Sequence, residues 1–320
     1  MKKLIVQIPC YNEGATLSRT LGDLPRTVPG FDVVEWLIVD DGSSDDTIEV
    51  AKRCGVDHVV ALPHNHGLAA AFMAGIEASL KAGADVIVNT DGDNQYDASA
   101  IPSLVAPIQN GAAQIVVGER PIMQIAEFSL AKKMLQRLGS AVVRIASGTK
   151  IPDATSGFRA FSRDAAFRLC VFNGYTYTLE TIIQAGRKNI PIVSVPVQSN
   201  AATRPSRLIK SVPTYIWRSL GTILRIFVLY KPLRSFFIVG SLFLIPGVMI
   251  GFRFLIAWMG GHGGGRVQSL ILAAILIVTA MIVYCAGIVA DLVASNRVLL
   301  EEVRMRLLRS EAETLRRLQN

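Results

Sequence analysis

The chain has 320 residues, about half of them apolar, and a formal net charge of +8. This length accommodates one large domain or two smaller ones, each with its own core. The positive charge is concentrated between Arg204 and Arg234, where seven basic residues and no acidic one occur, and this argues against a general nucleic-acid-binding surface.

The N-terminal part, residues 1 to about 118, alternates short apolar runs with segments of helical spacing. The predicted strands are "LIVQIP", "VEWLIVD", "HVVAL", "DVIVN" and "QIVVG". The predicted helices are "EGATLSRTLGDL", "DDTIEVAKRC", "GLAAAFMAGIEASLKAG" and "DASAIPSLVAPIQNG". Because the strands are apolar without alternation, they are expected to be buried on both faces. This pattern predicts an α/β, Rossmann-like domain with a mostly parallel sheet, ending near residues 200 to 210.

Polar segments follow the first four predicted strands, at the sheet edge where such domains bind ligands. Three of the four contain acidic residues: "PCYNEG", "DDGSSDDT" and "TDGDNQYD". Repulsion between carboxylates at one edge is costly unless a cation accepts them. Asp91 and Asp93, with the amide oxygen of Gln95, are ligand types that suit Mg²⁺ or Mn²⁺, which shares its coordination sphere with phosphates. A nucleoside diphosphate is therefore the expected ligand.

Other cofactor sites are not supported by the sequence. No G-x-G-x-x-G follows a strand, and no G-x-x-x-x-G-K-[ST] occurs. His64 and His66 lack a nearby third ligand and are expected to be loop residues. The four cysteines show no paired spacing, as expected in a reducing compartment. The apolar stretch at the N-terminus is too short for a secretory signal.

Two apolar runs follow, at residues 236–252, extendable to 259, and at residues 270–290. Each approaches the roughly 20 residues that cross a bilayer as a helix. They predict a transmembrane hairpin over residues 235–293, with spans at about 235–257 and 269–291. The alternative, two buried helices of a soluble core, is less favoured because neither run has a polar face. The basic residues before the first span predict that the N-terminal domain and both termini are cytoplasmic.

The segments that flank this hairpin are also predicted to be helical. Residues 205–234 form a basic amphipathic pattern, with an apolar stripe that includes Ile216, Leu220 and Phe227. Such a helix is expected to lie at an anionic membrane surface, or to pack on the catalytic domain, or both. The pattern of residues 294–320 predicts a cytoplasmic C-terminal helix. This helix could pair with a partner helix or a second copy of the chain, or it could lie solvated at the surface, and the sequence favours neither.

Five motifs in order carry a family resemblance: "IPCYNEGATL", "IVDDGSSDDT", "HNHGLAAAFMAGIEAS", "NTDGDNQYD" and "DATSGFRAFSRDA". Together they resemble family 2 glycosyltransferases, and in particular polyprenyl-phosphate glycosyltransferases similar to dolichol-phosphate mannose synthase. The resemblance covers residues 4 to 210, and the hairpin extends it to 293. It implies a GT-A catalytic domain at residues 1–204.

The resemblance implies roles for individual residues. The nucleotide-sugar site would contain Pro9, Tyr11, Glu13, Asp41, Asp91, Asp93, Gln95, Arg204 and Arg207. The metal would be bound by Asp91, Asp93 and Gln95. The acceptor phosphate would be bound by Arg120, Lys132, Lys133 and Arg137. The signature segment would be represented by Asp153, Ser156 and Arg159, and the catalytic residues would be Asp93, Arg120 and Arg159.

One segment departs from the family pattern. Many relatives carry G-x-S-K-L before the membrane, with an arginine upstream, whereas this chain reads "TRPSRL". Arg207 replaces the lysine, and Arg204 occupies the glycine position. Three alternatives are open: Arg204 takes over a phosphate contact, the loop closes differently, or both arginines only contact lipid headgroups.

The implied reaction is the inverting, metal-dependent transfer of a hexose from a UDP-glucose-type or GDP-mannose-type donor to undecaprenyl or dolichyl phosphate. The product would be a lipid-linked sugar for cell-envelope or protein glycosylation. The expected partners are the nucleotide sugar, the lipid phosphate, the membrane and a possible second copy of the chain, but no nucleic acid. Two alternatives remain: a polysaccharide synthase acting on a hydroxyl, although no Q-x-x-R-W occurs, and a non-catalytic nucleotide-sugar-binding scaffold.

Overall fold

The computed structural model describes residues 1–121, 139–171 apart from 142 and 146, 177–200, 232–261 and 267–319. The chain divides into two compact units, each considered by itself below. The first unit comprises Met1–Ile216 together with Glu302–Asn320, and the second comprises Trp217–Glu301. The predicted interface helix, residues 205–234, lies outside the described residues except for its last three.

The first unit contains a seven-stranded sheet in the order β3-β2-β1-β4-β6-β5-β7. The strands are β1 (Lys3–Cys10), β2 (Val33–Asp40), β3 (His58–Ala61), β4 (Val86–Asn89), β5 (Ile115–Glu119), β6 (Arg159–Ser162) and β7 (Ile192–Pro196). All strand pairs are parallel except those of β6, which runs antiparallel to β4 and β5. The predicted mostly parallel sheet and its first five strands are confirmed.

Helices cover both faces of this sheet. They are α1 (Gly14–Asp23), α2 (Thr47–Arg53), α3 (Leu68–Lys81), α4 (Ile101–Gln109), α5 (Arg163–Arg168) and α6 (Thr178–Arg187). One apolar cluster joins the sheet to α1, α2 and α4, and the other joins it to α3, α5 and α6. Neighbouring residues of β1, such as Leu4 and Ile5, contribute to opposite clusters, which explains why its sequence is apolar without alternation.

The second unit contains two long helices, α7 (Pro232–Met259) and part of α8 (Val267–Gln319). Both are long and apolar enough to cross a membrane. Most of their large side chains are exposed, for example Leu242 at 68% and Ile282 at 64%, so they do not form the buried core of a soluble protein. The first helix agrees with the predicted span to within three residues, whereas the second continues well beyond residue 291.

Small residues line the contact between α7 and α8. Ala273 and Ala280 are buried and spaced by seven residues, as in a left-handed helix pair. A Cβ added to Gly240 would lie 2.4 Å from the ring of Tyr284, so the backbone and this ring are in close contact. The Tyr284 hydroxyl also lies 3.0 Å from Ser241 Oγ. The hairpin is therefore a packed helix pair.

The end of α8 belongs to the catalytic unit. Leu308 and Ala312 are buried in the apolar cluster that includes α3 and α5. Ion pairs surround this contact, among them Arg309 with Asp164 at 2.5 Å and Lys81 with Glu311 at 3.2 Å. The sequence analysis considered a partner helix, self-association or a solvated surface for the C-terminal segment. The structure instead shows its end packed against the first unit, in a helix without a break at residue 294.

Candidate active site

The carboxyl ends of β1, β2 and β4 bring the predicted donor-site residues to one edge of the sheet. β1 pairs with β2 on one side and with β4 on the other, so Tyr11, Asp41 and Asp91 follow adjacent strands. Asp41 is buried, and its carboxylate accepts hydrogen bonds from the backbone N–H groups of His66 and Gly67, at 2.8 and 2.9 Å. Asp41 thus holds the loop after β3 beside the end of β2.

The segment between β1 and α1 is held by the segment after β2. The backbone N–H of Glu13 donates to Thr47 Oγ1 at 3.0 Å, and that of Gly14 donates to Asp45 at 3.0 Å. Burial alone would raise the pKa of Asp45, but hydrogen bonds from Thr47 and Gly14 lower it overall. Tyr11 remains 42% exposed at this edge, where a nucleotide can contact it.

Asp91 and Asp93 lie directly after β4, as the sequence predicts. Burial, followed by the neighbouring Asp93 carboxylate, raises the pKa of Asp91 to about 7, although Arg120 acts in the opposite direction. Gln95 donates to Asp93 from its backbone N–H and from its side-chain amide, at 3.2 and 2.8 Å. These bonds orient the Asp93 carboxylate, and direct metal binding by Gln95 stays a prediction.

The donor set fits a hard divalent cation. Two carboxylates converge where the ionised form of Asp91 is disfavoured, and a cation would relieve this repulsion. Within the described part of the chain, no group of three or more His, Cys, Asp or Glu residues could hold a metal. A cation bound by Asp91 and Asp93 would have further positions for water and phosphate, as is usual for Mg²⁺.

Arg120 lies at the end of β5 and forms a two-point ion pair with Asp153. Its Nε and Nη2 donate to the two carboxylate oxygens at 2.8 and 3.2 Å, and Nη2 also donates to Thr155 Oγ1 at 2.9 Å. Burial raises the pKa of Asp153, but Arg120 outweighs it and the pKa is lowered overall. Arg120 is held rigidly near Asp91, which suits the predicted contact with a phosphate.

Arg159, predicted to be catalytic, is fully buried at the start of β6. Its guanidinium donates to the carbonyls of Ser156, Thr178 and Ala154 at 2.8 to 3.0 Å. Burial lowers its pKa to about 10. These contacts hold Arg159 against the signature segment, and its catalytic role stays a prediction. Ser156 is also fully buried.

Five predicted site residues lie outside the described residues: Lys132, Lys133, Arg137, Arg204 and Arg207. The other predicted site residues lie at the sheet edge formed by the carboxyl ends of β1, β2 and β4 or in the segments next to it. Pro9 is buried near the end of β1.

Two threonines at the site were missed by the sequence analysis. Thr16 and Thr20 donate to the carbonyl of Gly92 at 3.3 and 3.0 Å, and so connect α1 to the loop that carries Asp91 and Asp93. The sequence feature that could have identified them is their spacing of four residues, which places both hydroxyls on one face of α1.

Comparisons with known proteins identify the fold and the family. The structure resembles glucosyl-3-phosphoglycerate synthase from Mycobacterium tuberculosis in complex with Mn²⁺, UDP and its glucosylated product, with a TM-score of 0.55 and 22% identity, over 71% of this chain and 79% of that one. The likeness shows the GT-A fold. Residues 5–169 match the model of "Glycosyl transferase family 2", and the chain belongs to this family. The protein is therefore a glycosyltransferase.

Two curated relatives are polyprenyl-phosphate enzymes by name. The undecaprenyl-phosphate mannosyltransferase of Micrococcus luteus is 32% identical over 205 residues, which cover 61% of this chain and 82% of the relative. The polyprenol monophosphomannose synthase of Mycolicibacterium smegmatis is 27% identical over 207 residues, which cover 61% of this chain and 77% of the relative.

Proposed function

We propose that the protein transfers a hexose from a nucleoside diphosphate sugar to the phosphate of a membrane polyprenol. The observation that carries this proposal is the pairing of Asp91 and Asp93 with Arg120 at one edge of the sheet. The carboxylates suit a cation that accepts a diphosphate, and the arginine suits a second phosphate. The names of the two curated relatives support transfer of a sugar to a polyprenyl phosphate acceptor.

The acceptor phosphate supplies the nucleophile. A phosphate monoester is already anionic near neutral pH, so no side chain must remove a proton, as a hydroxyl acceptor would require. The protein must instead hold an anionic nucleophile beside an anionic leaving group. Arg120 provides the positive charge for the acceptor, and its ion pair with Asp153 fixes the direction in which the guanidinium points.

The donor is activated at its diphosphate. Asp91 and Asp93 would hold Mg²⁺ or Mn²⁺, and such a cation neutralises charge on a departing diphosphate. The segment after β1, which includes Tyr11 and Glu13, is proposed to bind the nucleoside part. Attack by the lipid phosphate opposite the departing diphosphate would invert the anomeric centre.

We propose a location in the membrane, with the catalytic unit and both termini in the cytoplasm. Two helices long and apolar enough to span a bilayer support this proposal, and they would bring the active site to the lipid acceptor. The basic segment between Arg204 and Arg234 supports the cytoplasmic orientation.

The direct test is an assay with the purified full chain. Undecaprenyl or dolichyl phosphate in detergent micelles is mixed with Mg²⁺ or Mn²⁺ and each of a panel of UDP- and GDP-sugars, and the lipid product is identified by mass. We expect one donor to give a glycosylated polyprenyl phosphate, and chelation to abolish it. Transfer to a sugar hydroxyl would favour a polysaccharide synthase. Nucleotide-sugar binding without transfer across the panel would favour a scaffold.

A further inference from the structure

The buried backbone of Gly157, called the Gly157 peptide below, lies beside the metal-site carboxylate. Its N–H and its C=O, which belong to two successive peptide groups, are each hydrogen-bonded to a tyrosine. The N–H of Gly157 donates to the hydroxyl oxygen of Tyr96 at 2.8 Å. The carbonyl of Gly157 accepts from the hydroxyl of Tyr177 at 3.3 Å and from Asn89 Nδ2 at 2.9 Å. Gly157 therefore has both polar groups fixed by side chains from other parts of the fold.

Asp91 lies directly against this peptide. A Cβ added to Gly157 would lie 3.0 Å from each carboxylate oxygen of Asp91 and 2.9 Å from the Tyr177 hydroxyl. Because glycine has only a hydrogen in place of a side chain, the Asp91 carboxylate can approach the Gly157 backbone this closely. The position of the Gly157 peptide consequently limits where the Asp91 carboxylate can lie.

The two tyrosines are themselves held rigidly. Tyr177 is fully buried, and its ring stacks on Phe72 with a centroid distance of 4.0 Å. Tyr96 is 5% exposed and stacks on Phe158 at 5.2 Å. Asn89 also donates to the Tyr177 hydroxyl at 2.8 Å. Both hydroxyl groups thus have little freedom, as expected of side chains that fix the geometry of a neighbouring ligand.

We propose that Tyr96 and Tyr177 are positioning residues that clamp the Gly157 peptide and thereby orient the Asp91 carboxylate toward the divalent cation. Neither tyrosine contacts the cation. The inference rests on the proposed function, because it assumes that Asp91 binds the metal that accompanies the nucleotide.

The test measures metal binding rather than catalysis. Mn²⁺ is titrated into the full chain in detergent micelles with UDP and, separately, with GDP, and electron paramagnetic resonance reports free and bound Mn²⁺. We expect Tyr96→Phe and Tyr177→Phe each to weaken Mn²⁺ binding by about tenfold, the lower end of the range for outer-shell partners. The spectrum of bound Mn²⁺ should also change, since its line shape reports ligand geometry.

The matched control is Tyr284→Phe, which removes a tyrosine hydroxyl that lies 3.0 Å from Ser241 Oγ in the hairpin. It should leave Mn²⁺ binding unchanged. A second variant, Gly157→Ala, places a methyl group against the Asp91 carboxylate and should weaken binding although both tyrosines are retained. Thermal unfolding establishes that each variant is folded at the temperature of the titration.

Wild-type affinity and spectrum in both tyrosine variants, or no Mn²⁺ binding by the wild type with either nucleotide, would overturn the inference. Failure of the proposed function is distinguishable from this result. A wild type that binds Mn²⁺ with a nucleotide but glycosylates no polyprenyl phosphate contradicts the acceptor, and the tyrosine variants still test the clamp.

Discussion

At the scale of single residues, Asp91 combines a buried position with a charged neighbour. Its pKa of about 7 arises from burial and from Asp93. Protonating Asp91 near neutral pH in the metal-free protein therefore requires less free energy than protonating an ordinary aspartate. An Asn side chain resembles that neutral form in shape. Substitution at this position should therefore separate the effect on function from the effect on folding.

We expect Asp91→Asn to reduce sugar transfer on the order of 10²-fold while the unfolding temperature changes little, because the variant loses a cation ligand and no ion pair. The measurement is product formation by mass, with thermal unfolding alongside. Asp97→Asn is the control, since the Asp97 carboxylate accepts from Ser99 N at an exposed helix start, a bond that an Asn side chain can also accept. Equal activity of Asp91→Asn and wild type would contradict the proposed metal site.

Asp153 presents the opposite case, a buried carboxylate that is stabilised in its charged form. Asp153→Asn leaves Arg120 without its partner, and we expect a loss of about 3 kcal/mol in the stability of the catalytic unit at neutral pH. Thermal unfolding in detergent measures this loss. Asp46→Asn, at an exposed ion pair with Arg53, should cost less than about 1 kcal/mol.

The pH dependence of this loss has a defined sign. The folded-state pKa of Asp153 is lowered, so its contribution is present above the unfolded value of about 4 and is lost as the pH falls through the folded pKa. The difference in unfolding free energy between the wild type and Asp153→Asn should therefore become smaller below about pH 4. A difference that widens in acid would contradict the ion pair as its source.

At the scale of elements, the packing of α7 against α8 depends on glycine where the helices approach. Gly240→Ala would place a methyl group 2.4 Å from the Tyr284 ring, and we expect about 1–3 kcal/mol of destabilisation from overpacking. Gly251→Ala is the matched control, because its Cβ would lie 3.8 Å from Ala273 Cβ, an ordinary contact. Thermal stability of the full chain in detergent compares them, and equal stabilities would contradict this packing.

The sequence analysis succeeded where local pattern determines structure. The five apolar strands and the acidic strand ends of β2 and β4 follow directly from periodicity and turn residues. It missed β6, because four residues beginning with Arg159 lack a strand pattern and their pairing depends on β4 and β5, and it did not predict β7. It assigned Arg159 to catalysis, which stays a prediction, but it did not foresee the backbone carbonyls that surround the guanidinium, because a sequence does not reveal the contacts of a folded side chain. Tyr96 and Tyr177 were missed for the same reason.

At the scale of the whole molecule, the catalytic unit includes a helix end that is remote in sequence. Leu308→Ala should destabilise this unit by about 2–3 kcal/mol, because Leu308 is 5% exposed in the cluster with α3 and α5. The adjacent Leu307 is 67% exposed, and Leu307→Ala should change stability by less than about 0.5 kcal/mol. Thermal unfolding distinguishes the two, and equal effects would contradict the packing of this segment.

This discontinuity has a consequence for biosynthesis. The surface formed by α3 and α5, with Phe167 and Asp164, is complete only when the end of α8 reaches it. Between Arg168 at the end of α5 and Leu308 in α8, the ribosome makes about 140 residues, including the hairpin and both candidate spans. At about 5–20 residues per second this takes roughly 7–28 s. During this interval the nascent catalytic unit has an uncovered apolar face. Chaperone contact should therefore persist until the last turns of α8 have emerged, after the spans have been made.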